Sequence, residues 1–363
     1  MTDFRSPTRR RFLAGASATA AAGAAFTVLP RSPRAARSLK VGVYGGYFKD
    51  SFDKHIFPDF AKATGIEVES VAEPTGEAWL VQLQNAARAG QAPADVSMMA
   101  QVPRMKGQNA ELWAPLDAGK LENSKYLFDR FLHTYDDGSV SGIGAVSWFI
   151  TLVSNTNVYP KAPTSWAELW EPDNKDSLGL LALSSNSFLL EITAATFFDG
   201  HKTLESEAGI EKVLNKLSEV KPNVKLWYRD EGQFQQALQS GEIPMGQYYH
   251  DVATLAAGDG FPVRSTFPKE GGVQDSGSWS VSKASDKLDE AHVFIDYMCQ
   301  PEIQAKLARK VGTAPTVARK HTDLTDAEFA AVSSEKAPIQ PFYAMYLNRG
   351  DWVSDQWTSM ITG

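Results

Sequence analysis

The chain has 363 residues, of which 43% are hydrophobic, and it carries a formal net charge of −7. Seven of its 36 basic residues and one of its 43 acidic residues lie in the first 38 positions, so the remainder has a net charge of about −13. Such acidity argues against nucleic acid as a partner. The single cysteine, Cys299, excludes an intrachain disulfide.

Residues 1–38 have the pattern of an export signal. Basic residues precede an apolar run rich in Ala and Gly, and small residues follow it. The run is too weakly hydrophobic for a transmembrane helix. The segment from Thr8 to Leu13 resembles the twin-arginine export motif, with an ordinary secretory signal as the alternative. We therefore expect the signal to direct the protein to the periplasm.

The next part of the chain alternates between strands and helices. Short β-prone runs predict strands at 39–44, 66–71 and 94–100. Apolar residues at helical spacing predict helices at 48–60 and 77–90. Pro58 is expected to kink or restart the first helix, and Gly65 and Gly90 are expected to end the two helices.

The same alternation continues towards the C-terminus. Strands are predicted at 142–155, 178–183, 243–249 and 278–283, and helices at 164–172, 231–242 and 288–300. Alternating strands and helices indicate an α/β fold with a parallel sheet covered by helices. Ligands of such sheets bind at the carboxyl ends of the strands. About 325 residues also exceed one hydrophobic core, so we expect two domains.

Several segments resemble a known family. They are GGYFKDSFDKHIFPDFAKATGIEVE, SWAELWEPDNK, KPNVKLWYRDEGQFQQALQSGEIPMGQ, FPKEGGV and CQPEIQAKLARKVGTAPT. The most specific feature is a strand with Gly-Glu-apolar-x-x-Gly (241–246), followed by Pro-Lys-Glu-Gly-Gly (268–272). Together they resemble the periplasmic solute-binding proteins of ABC importers, and most of all the spermidine/putrescine-binding branch.

This resemblance implies a two-lobed periplasmic-binding-protein fold of type II, in which each lobe is a mixed sheet flanked by helices. Lobe one would comprise 39–152 and 279–330, lobe two 153–278, and 331–363 would be a C-terminal helical segment of unassigned lobe. The chain would cross between the lobes near 153–158 and 276–280. The lobes would close on a small solute by a hinge motion and deliver it to a permease in the inner membrane. The protein would be a monomer without a cofactor.

Loops at the strand ends are expected to hold the solute. The predicted contacts are Tyr44, Gly46, Tyr47, Thr75, Met99, Trp148, Ser185, Tyr228, Tyr249, Asp251, Asp275 and Trp279. A tight turn at Gly46, helix capping at Thr75, and core packing of Met99 and Trp148 are the structural alternatives. Asp251 and Asp275 are expected to carry the negative charge that orients an amine.

The sequence departs from the pattern of the polyamine-binding branch in two segments that bind the amine in that branch. Gln247 stands where the branch commonly has Trp, and His250 stands at the following acid position, with Asp251 next to it. In the second segment Gly277 stands at the acid position, two residues after Asp275. The solute could therefore be a polyamine, a diamine or an amino-acid-like amine.

Two alternative functions, ferric-ion binding and catalysis, have less support in the sequence. Tyr248 and Tyr249, with His250, could form a ferric-ion site, although adjacent strand residues point to opposite faces unless the strand has ended. An enzyme finds no support, because the sequence has no G-x-S-x-G, phosphate loop, HExxH or cysteine pair. We expect no catalysis.

Overall fold

The computed structural model describes residues 37–74 and 77–363, apart from the side chains of Tyr47 and Glu77. Residues 1–36 of the predicted signal, and Thr75, lie outside the described residues. The strands are β1 (Arg37–Tyr44), β2 (Ile66–Glu73), β3 (Val96–Ala100), β4 (Leu132–Thr134), β5 (Val140–Asn155), β6 (Leu178–Leu181), β7 (Val224–Tyr228), β8 (Met245–Tyr249), β9 (Val263–Thr266) and β10 (Val273–Val281).

The α-helices of the same part are α1 (Tyr47–His55), α2 (Phe57–Thr64), α3 (Glu77–Arg88), α4 (Gln101–Asn109), α5 (Ser184–Ser187), α6 (Leu189–Phe197), α7 (His201–Leu204), α8 (Glu207–Ser218), α9 (Glu231–Ser240), α10 (His250–Gly258), α11 (Leu288–Met298), α12 (Pro301–Val311), α13 (Asp326–Ala330) and α14 (Tyr343–Thr362). Short 3-10 helices span Ala118–Lys120, Glu122–Tyr126, Asp129–Phe131, Trp166–Trp170, Pro172–Asn174, Lys221–Asn223 and Arg319–His321. Among the described helices, none has the length and apolar character needed to cross a membrane.

The strands of the described residues join one mixed sheet in the order β2-β1-β3-β10-β5-β8-β6-β7, with β4 and β9 paired to β5. β1 is parallel to β2 and β3, and β6 is parallel to β7 and β8. β5 and β10 are antiparallel to each other and to β8 and β3, respectively. Two parallel arms are therefore joined by two long antiparallel strands, which confirms the predicted α/β class with mixed sheets.

The predicted alternation of strands and helices is confirmed. The helical stripe at 48–60 is divided into α1 and α2, because α2 restarts at Phe57 with Pro58 in its first turn. Gly65 ends α2 with a φ of 68°, a left-handed conformation that favours glycine. The predicted helix at 164–172 is shorter, a 3-10 turn at Trp166–Trp170 that begins with a capping box on Ser165.

Two segments that were expected to be loops have regular structure. Residues 273–277 form the first half of β10, because they pair with β5 from Val273 opposite Ile150 to Gly277 opposite Val146. Residues 184–187 form α5 instead of an open strand-end loop. β1 also begins at Arg37, two residues before the predicted strand.

Each parallel arm has its own hydrophobic core. The first core contains, among others, Leu39, Val41, Phe52, Ile143, Val146, Trp279 and Phe294. The second contains Ile150, Leu152, Trp166, Leu180, Leu190, Val273, Tyr346 and Trp357. Along β5 the packing changes from the first core to the second between Val146 and Ile150, and along β10 it changes between Trp279 and Val273. The long C-terminal helix α14 packs on the second core.

Candidate functional site

A cavity of about 300 Å³ lies where the two cores meet along β5 and β10. We call it the central cavity; it is lined by Tyr44, Ala100, Gln101, Val102, Pro103, Trp148, Ile150, Ser185, Asn186, Phe188, Tyr249, Asp275 and Tyr343. Five predicted site residues are therefore brought together, namely Tyr44, Trp148, Ser185, Tyr249 and Asp275. The lining comes from both arms of the sheet, as a ligand site between two lobes requires.

Strand ends and strand pairing place these side chains. Tyr44 ends β1, Ala100 ends β3 and Tyr249 ends β8, so strands from both parallel arms present their carboxyl ends to the cavity. Trp148 in β5 and Asp275 in β10 are direct register partners. Cross-strand partners lie side by side on one face of a sheet, so an indole and a carboxylate share this wall of the cavity.

Asp275 is the carboxylate of the central cavity. Its Oδ1 accepts hydrogen bonds from the Tyr343 hydroxyl at 2.7 Å and from the Ser276 backbone N–H at 2.8 Å. Among the described residues no group donates to its Oδ2. Burial raises the pKa of Asp275 to about 6, and the two hydrogen bonds oppose this shift. The carboxylate is therefore charged at neutral pH and has one oxygen free to accept.

Tyr44 contributes a buried hydroxyl to the same cavity. This oxygen has no hydrogen-bond partner among the described residues. Burial, then the charges of Glu73 and Asp275, raise the pKa of Tyr44 well above its ordinary value. A Cβ atom at Gly277 would lie 3.1 Å from this hydroxyl, so the absence of a side chain there leaves room for Tyr44. The hydroxyl stays neutral and can donate to a polar group in the cavity.

Tyr249 also lines the central cavity and lies close to Glu231 of α9. Burial raises the pKa of both groups, and the Glu231 charge raises that of Tyr249 further. Trp148, Tyr44 and Tyr249 thus line the cavity with aromatic rings. The hydroxyls of the two tyrosines are neutral at physiological pH.

Tyr343 was not among the predicted contacts. It opens α14, whose N-terminus is held by Glu191: Oε1 accepts from the Phe342 N–H at 3.0 Å, and Oε2 accepts from the Tyr346 hydroxyl at 2.9 Å. Burial raises the pKa of Glu191 to about 7. The sequence signal, an aromatic at a helix start in PFYAMYL, is too common to identify a site, and only the packing of α14 brings it to Asp275.

A second cavity, of about 310 Å³, adjoins the central cavity and shares Gln101 and Tyr343 with it. We call it the arginine cavity; its other lining residues are Arg104, Met105, Arg130, Phe131, His133, Gln274, Ser276, Gln340 and Pro341. Sequence reasoning missed Arg104 and Arg130, because isolated arginines within polar stretches are typical of solvated surfaces. Arg104 is in fact only 5% exposed.

Other predicted contacts lie elsewhere. Met99 packs beside Trp79 and Trp113, Trp279 is fully buried in the first core, and the ring of Tyr228 stacks on Phe234 at 4.7 Å. Their large apolar surfaces are buried against other side chains, so these three do not line the central cavity.

The remaining predicted contacts lie in turns and helix starts. Gly46 is an exposed turn residue with a φ of 64°, which favours glycine at the start of α1. Tyr47 begins α1, and its side chain is outside the described residues. Asp251 lies in the first turn of α10 and lines a different cavity, beside Arg309 and Glu328. Burial raises its pKa to about 6.

The rings of Tyr248 and Tyr249, at the end of β8, lie 5.6 Å apart, and His250 begins α10. The Tyr248 hydroxyl donates to the Glu231 backbone carbonyl at 3.2 Å, in a small core with Tyr228 and Phe234. His250 faces away, since its ring nitrogens contact Ser265 Oγ at 2.8 Å and the Ala330 carbonyl at 2.9 Å. His250 therefore does not join the two tyrosines.

Gln247, which stands where the polyamine branch has Trp, is fully buried. Its amide donates to the Ser187 carbonyl, and its oxygen accepts from the Leu181 N–H at 3.4 Å. The side chain thus joins α5 to β6 and β8 and does not line the central cavity.

Comparison with known proteins places this fold in a family. Residues 55–331 match the model of the family described as bacterial extracellular solute-binding protein. The chain is 26% identical over 307 residues to the spermidine/putrescine-binding periplasmic protein of Escherichia coli, with 83% of each chain covered. It is 23% identical over 283 residues to the gamma-aminobutyric acid-binding protein of Pseudomonas aeruginosa, with 77% of each covered.

Solved structures share the fold. An ABC transporter substrate-binding protein from Bradyrhizobium japonicum superimposes with a TM-score of 0.76 at 21% identity, covering 90% of this chain and 100% of that one. At this identity the likeness shows the fold alone, and the family follows from the match over residues 55–331. The chain belongs to the family of bacterial extracellular solute-binding proteins.

Proposed function

We propose that this protein is a periplasmic receptor that binds a small amine-bearing solute in the central cavity and delivers it to an ABC transporter permease. The observation that carries the proposal is Asp275, a carboxylate with one free oxygen on the wall of a cavity between two cores. A partly desolvated carboxylate attracts an ammonium group strongly and orients it.

The rest of the lining supports an amine. Trp148 lies beside Asp275, and Tyr44 and Tyr249 add ring faces, which attract ammonium groups through their quadrupoles. The two relatives above are named for binding spermidine/putrescine and gamma-aminobutyric acid, compounds that have an amine in common. The apolar side chains of Ile150 and Phe188 suit the methylene chain of such a solute.

Hinge closure is the second part of the proposal. We place the lobe boundaries where the packing changes cores, between Val146 and Ile150 and between Val273 and Trp279. The sequence-based crossings near 153–158 and 276–280 lie beside these positions. Closing such a hinge brings the two arms together on the solute without altering it chemically. Export by the N-terminal signal, of the twin-arginine or the secretory type, would precede this step.

Titration calorimetry of the purified protein with 1,4-diaminobutane, spermidine and 4-aminobutyrate tests the amine proposal. We expect at least one of these to bind, and Asp275→Asn to weaken that binding by about 100-fold, because a buried charge pair is lost. Asp259→Asn, at an exposed site beyond α10, is the matched control and should leave the affinity unchanged. Equal affinities of the wild type and Asp275→Asn would refute the assignment.

The same experiment examines ferric ion as the second candidate ligand. Tyr248 and Tyr249 both contact Glu231, which is the observation that favours a metal. A visible tyrosinate absorbance on adding iron, lost in Tyr248→Phe, would support that candidate. Amine binding that is insensitive to Tyr248→Phe would support the amine receptor.

Amine affinity should depend on pH. Because burial raises the pKa of Asp275 to about 6, its carboxylate is neutral below this pH and cannot attract an ammonium. Glu191, with a pKa raised to about 7, contributes in the same direction. Affinity should therefore fall about tenfold between pH 7.5 and pH 5. Calorimetry across this range gives the measurement, and a flat profile would contradict it.

A further inference from the structure

The arginine cavity has positive charge without a carboxylate to balance it. Its lining residues include Arg104 and Arg130 and no Asp or Glu. Arg104 donates only to amide oxygens, from Nε to Gln101 at 2.9 Å and from Nη1 to Gln108 at 2.8 Å. Burial lowers the pKa of Arg104 to about 10, so the guanidinium remains charged at neutral pH.

Arg130 is the more exposed of the two arginines. Its Nε and Nη2 both donate to Gln274 Oε1, at 3.2 and 2.7 Å, and its guanidinium lies 4.1 Å from the ring centre of Phe128. Among the described residues, no carboxylate forms an ion pair with Arg104 or Arg130. His133 adds no charge, because burial and Arg104 lower its pKa to about 3. A buried cation such as Arg104 is costly without an anion, and a bound anion would offset that cost.

The arginine cavity adjoins the carboxylate of the central cavity at the edge of β10, where Gln101 of α4 donates to Ser276 Oγ at 3.0 Å. β3 pairs with β10 only from Gly277 onwards, so the edge of β10 at Asp275 and Ser276 is not covered by β3. Successive residues of a strand face opposite sides, so Asp275 lines one cavity and Ser276 the other. Tyr343 lies between them: its hydroxyl is bonded to Asp275 and is in electrostatic contact with Arg104.

We propose that the solute carries an ammonium group at one end and an anionic group, such as a carboxylate, at the other. The ammonium would bind Asp275 in the central cavity, and the anion would reach past Gln101 and Tyr343, which line both cavities, to bind Arg130 and Arg104. This inference rests on the proposed amine-binding function and narrows its solute class to amino-acid-like zwitterions. Guanidinium groups suit the anionic end of such a solute, since they bind carboxylates through two parallel hydrogen bonds.

The same arrangement disfavours diamines and polyamines. Within the part of the chain that the structure describes, the central cavity is lined by a single carboxylate, Asp275, which can neutralise only one ammonium. A second ammonium reaching around the β10 edge would meet Arg104 and Arg130. Like charges at a poorly hydrated site repel each other, so extension of the solute by a second amine would weaken binding there.

A pair of probes with the same carbon chain tests this inference. 4-Aminobutyrate and 1,4-diaminobutane differ at one end, which is a carboxylate in the first and an ammonium in the second. We expect the wild-type protein to bind 4-aminobutyrate at least about tenfold more tightly. Arg130→Gln should weaken 4-aminobutyrate binding by about tenfold and leave 1,4-diaminobutane within twofold. Arg88→Gln, at an exposed arginine at the end of α3, is the matched control.

The possible outcomes distinguish failure of the zwitterion inference from failure of the amine-receptor proposal. Tighter binding of 1,4-diaminobutane by the wild type, unchanged in Arg130→Gln but lost in Asp275→Asn, would overturn the zwitterion inference and leave the amine receptor intact. No binding of either probe or of spermidine, or no effect of Asp275→Asn on the solute that binds, would overturn both. The wild-type comparison uses no variant, so it decides the inference even if Arg130→Gln fails to fold.

Discussion

Replacing Gly246 with valine is expected to lower the free energy of unfolding by about 4 kcal/mol. Gly246 in β8 faces Gly179 in β6, and the two strands are parallel neighbours at this point. A Cβ atom at Gly246 would lie 2.1 Å from the Gly179 carbonyl oxygen and 2.7 Å from a ring carbon of Phe234. The first contact is with backbone, so it cannot be relieved by a change of side-chain rotamer.

The ring of Phe234 explains why this position cannot adjust. It packs over both glycines and stacks on Tyr228 at a centroid distance of 4.7 Å. Separating β6 from β8 would break this packing and the strand pairing together. Urea unfolding followed by tryptophan fluorescence measures the change. Gly258→Val, at an exposed glycine with no heavy atom near its Cβ position, should alter stability by less than about 0.5 kcal/mol. Equal losses in the two variants would contradict the prediction.

The second large effect is expected at the C-terminal helix. Trp357→Ala should lower the free energy of unfolding by about 3–5 kcal/mol, the usual cost of deleting a buried aromatic side chain. Trp357 is 2% exposed, its indole N–H donates to the Ala182 carbonyl at 2.8 Å, and its ring meets Trp227 edge-on at 5.9 Å. The truncation leaves a cavity and an unpaired buried carbonyl.

Trp352→Ala is the matched control for this prediction. It changes the same residue type in the same helix, but Trp352 is only partly buried. The decrease in the free energy of unfolding should therefore be about half as large in Trp352→Ala as in Trp357→Ala, or smaller. Thermal and urea unfolding of the three proteins give the comparison. Similar losses for Trp352→Ala and Trp357→Ala would show that docking of α14 does not depend on the buried indole.

α14 connects stability to the proposed site. Its first residue, Tyr343, is bonded to Asp275, and Glu191 holds its N-terminus through Phe342 and Tyr346. The predicted C-terminal helical segment therefore packs on the second core and reaches the boundary between the cores. Its role at the cavity follows from long-range contacts, and none of them leaves a periodic pattern in the sequence.

The central cavity was only partly predictable. Tyr44 and Tyr249 were found because they end strands, where ligands of α/β sheets bind. Trp148 and Asp275 were found by resemblance, although Asp275 lies within a strand and not in a loop. Met99 and Trp279 do not line the cavity, because the position of a strand end in the sequence does not show towards which face of the sheet a side chain points. The helices that pack on the sheet decide which face of a strand is buried and which is exposed.

The local sequence by itself determined the α/β class and the positions of most strands and helices, because hydrophobic periodicity and glycine caps act over a few residues. Only the tertiary structure decided which charges share a cavity. Asp275 lies more than a hundred residues from both Arg104 and Arg130 along the chain, and the pairing of β10 with β3 and β5 brings them to adjoining cavities. Charge complementarity with a solute is therefore a property of strand order and packing, and no local motif records it.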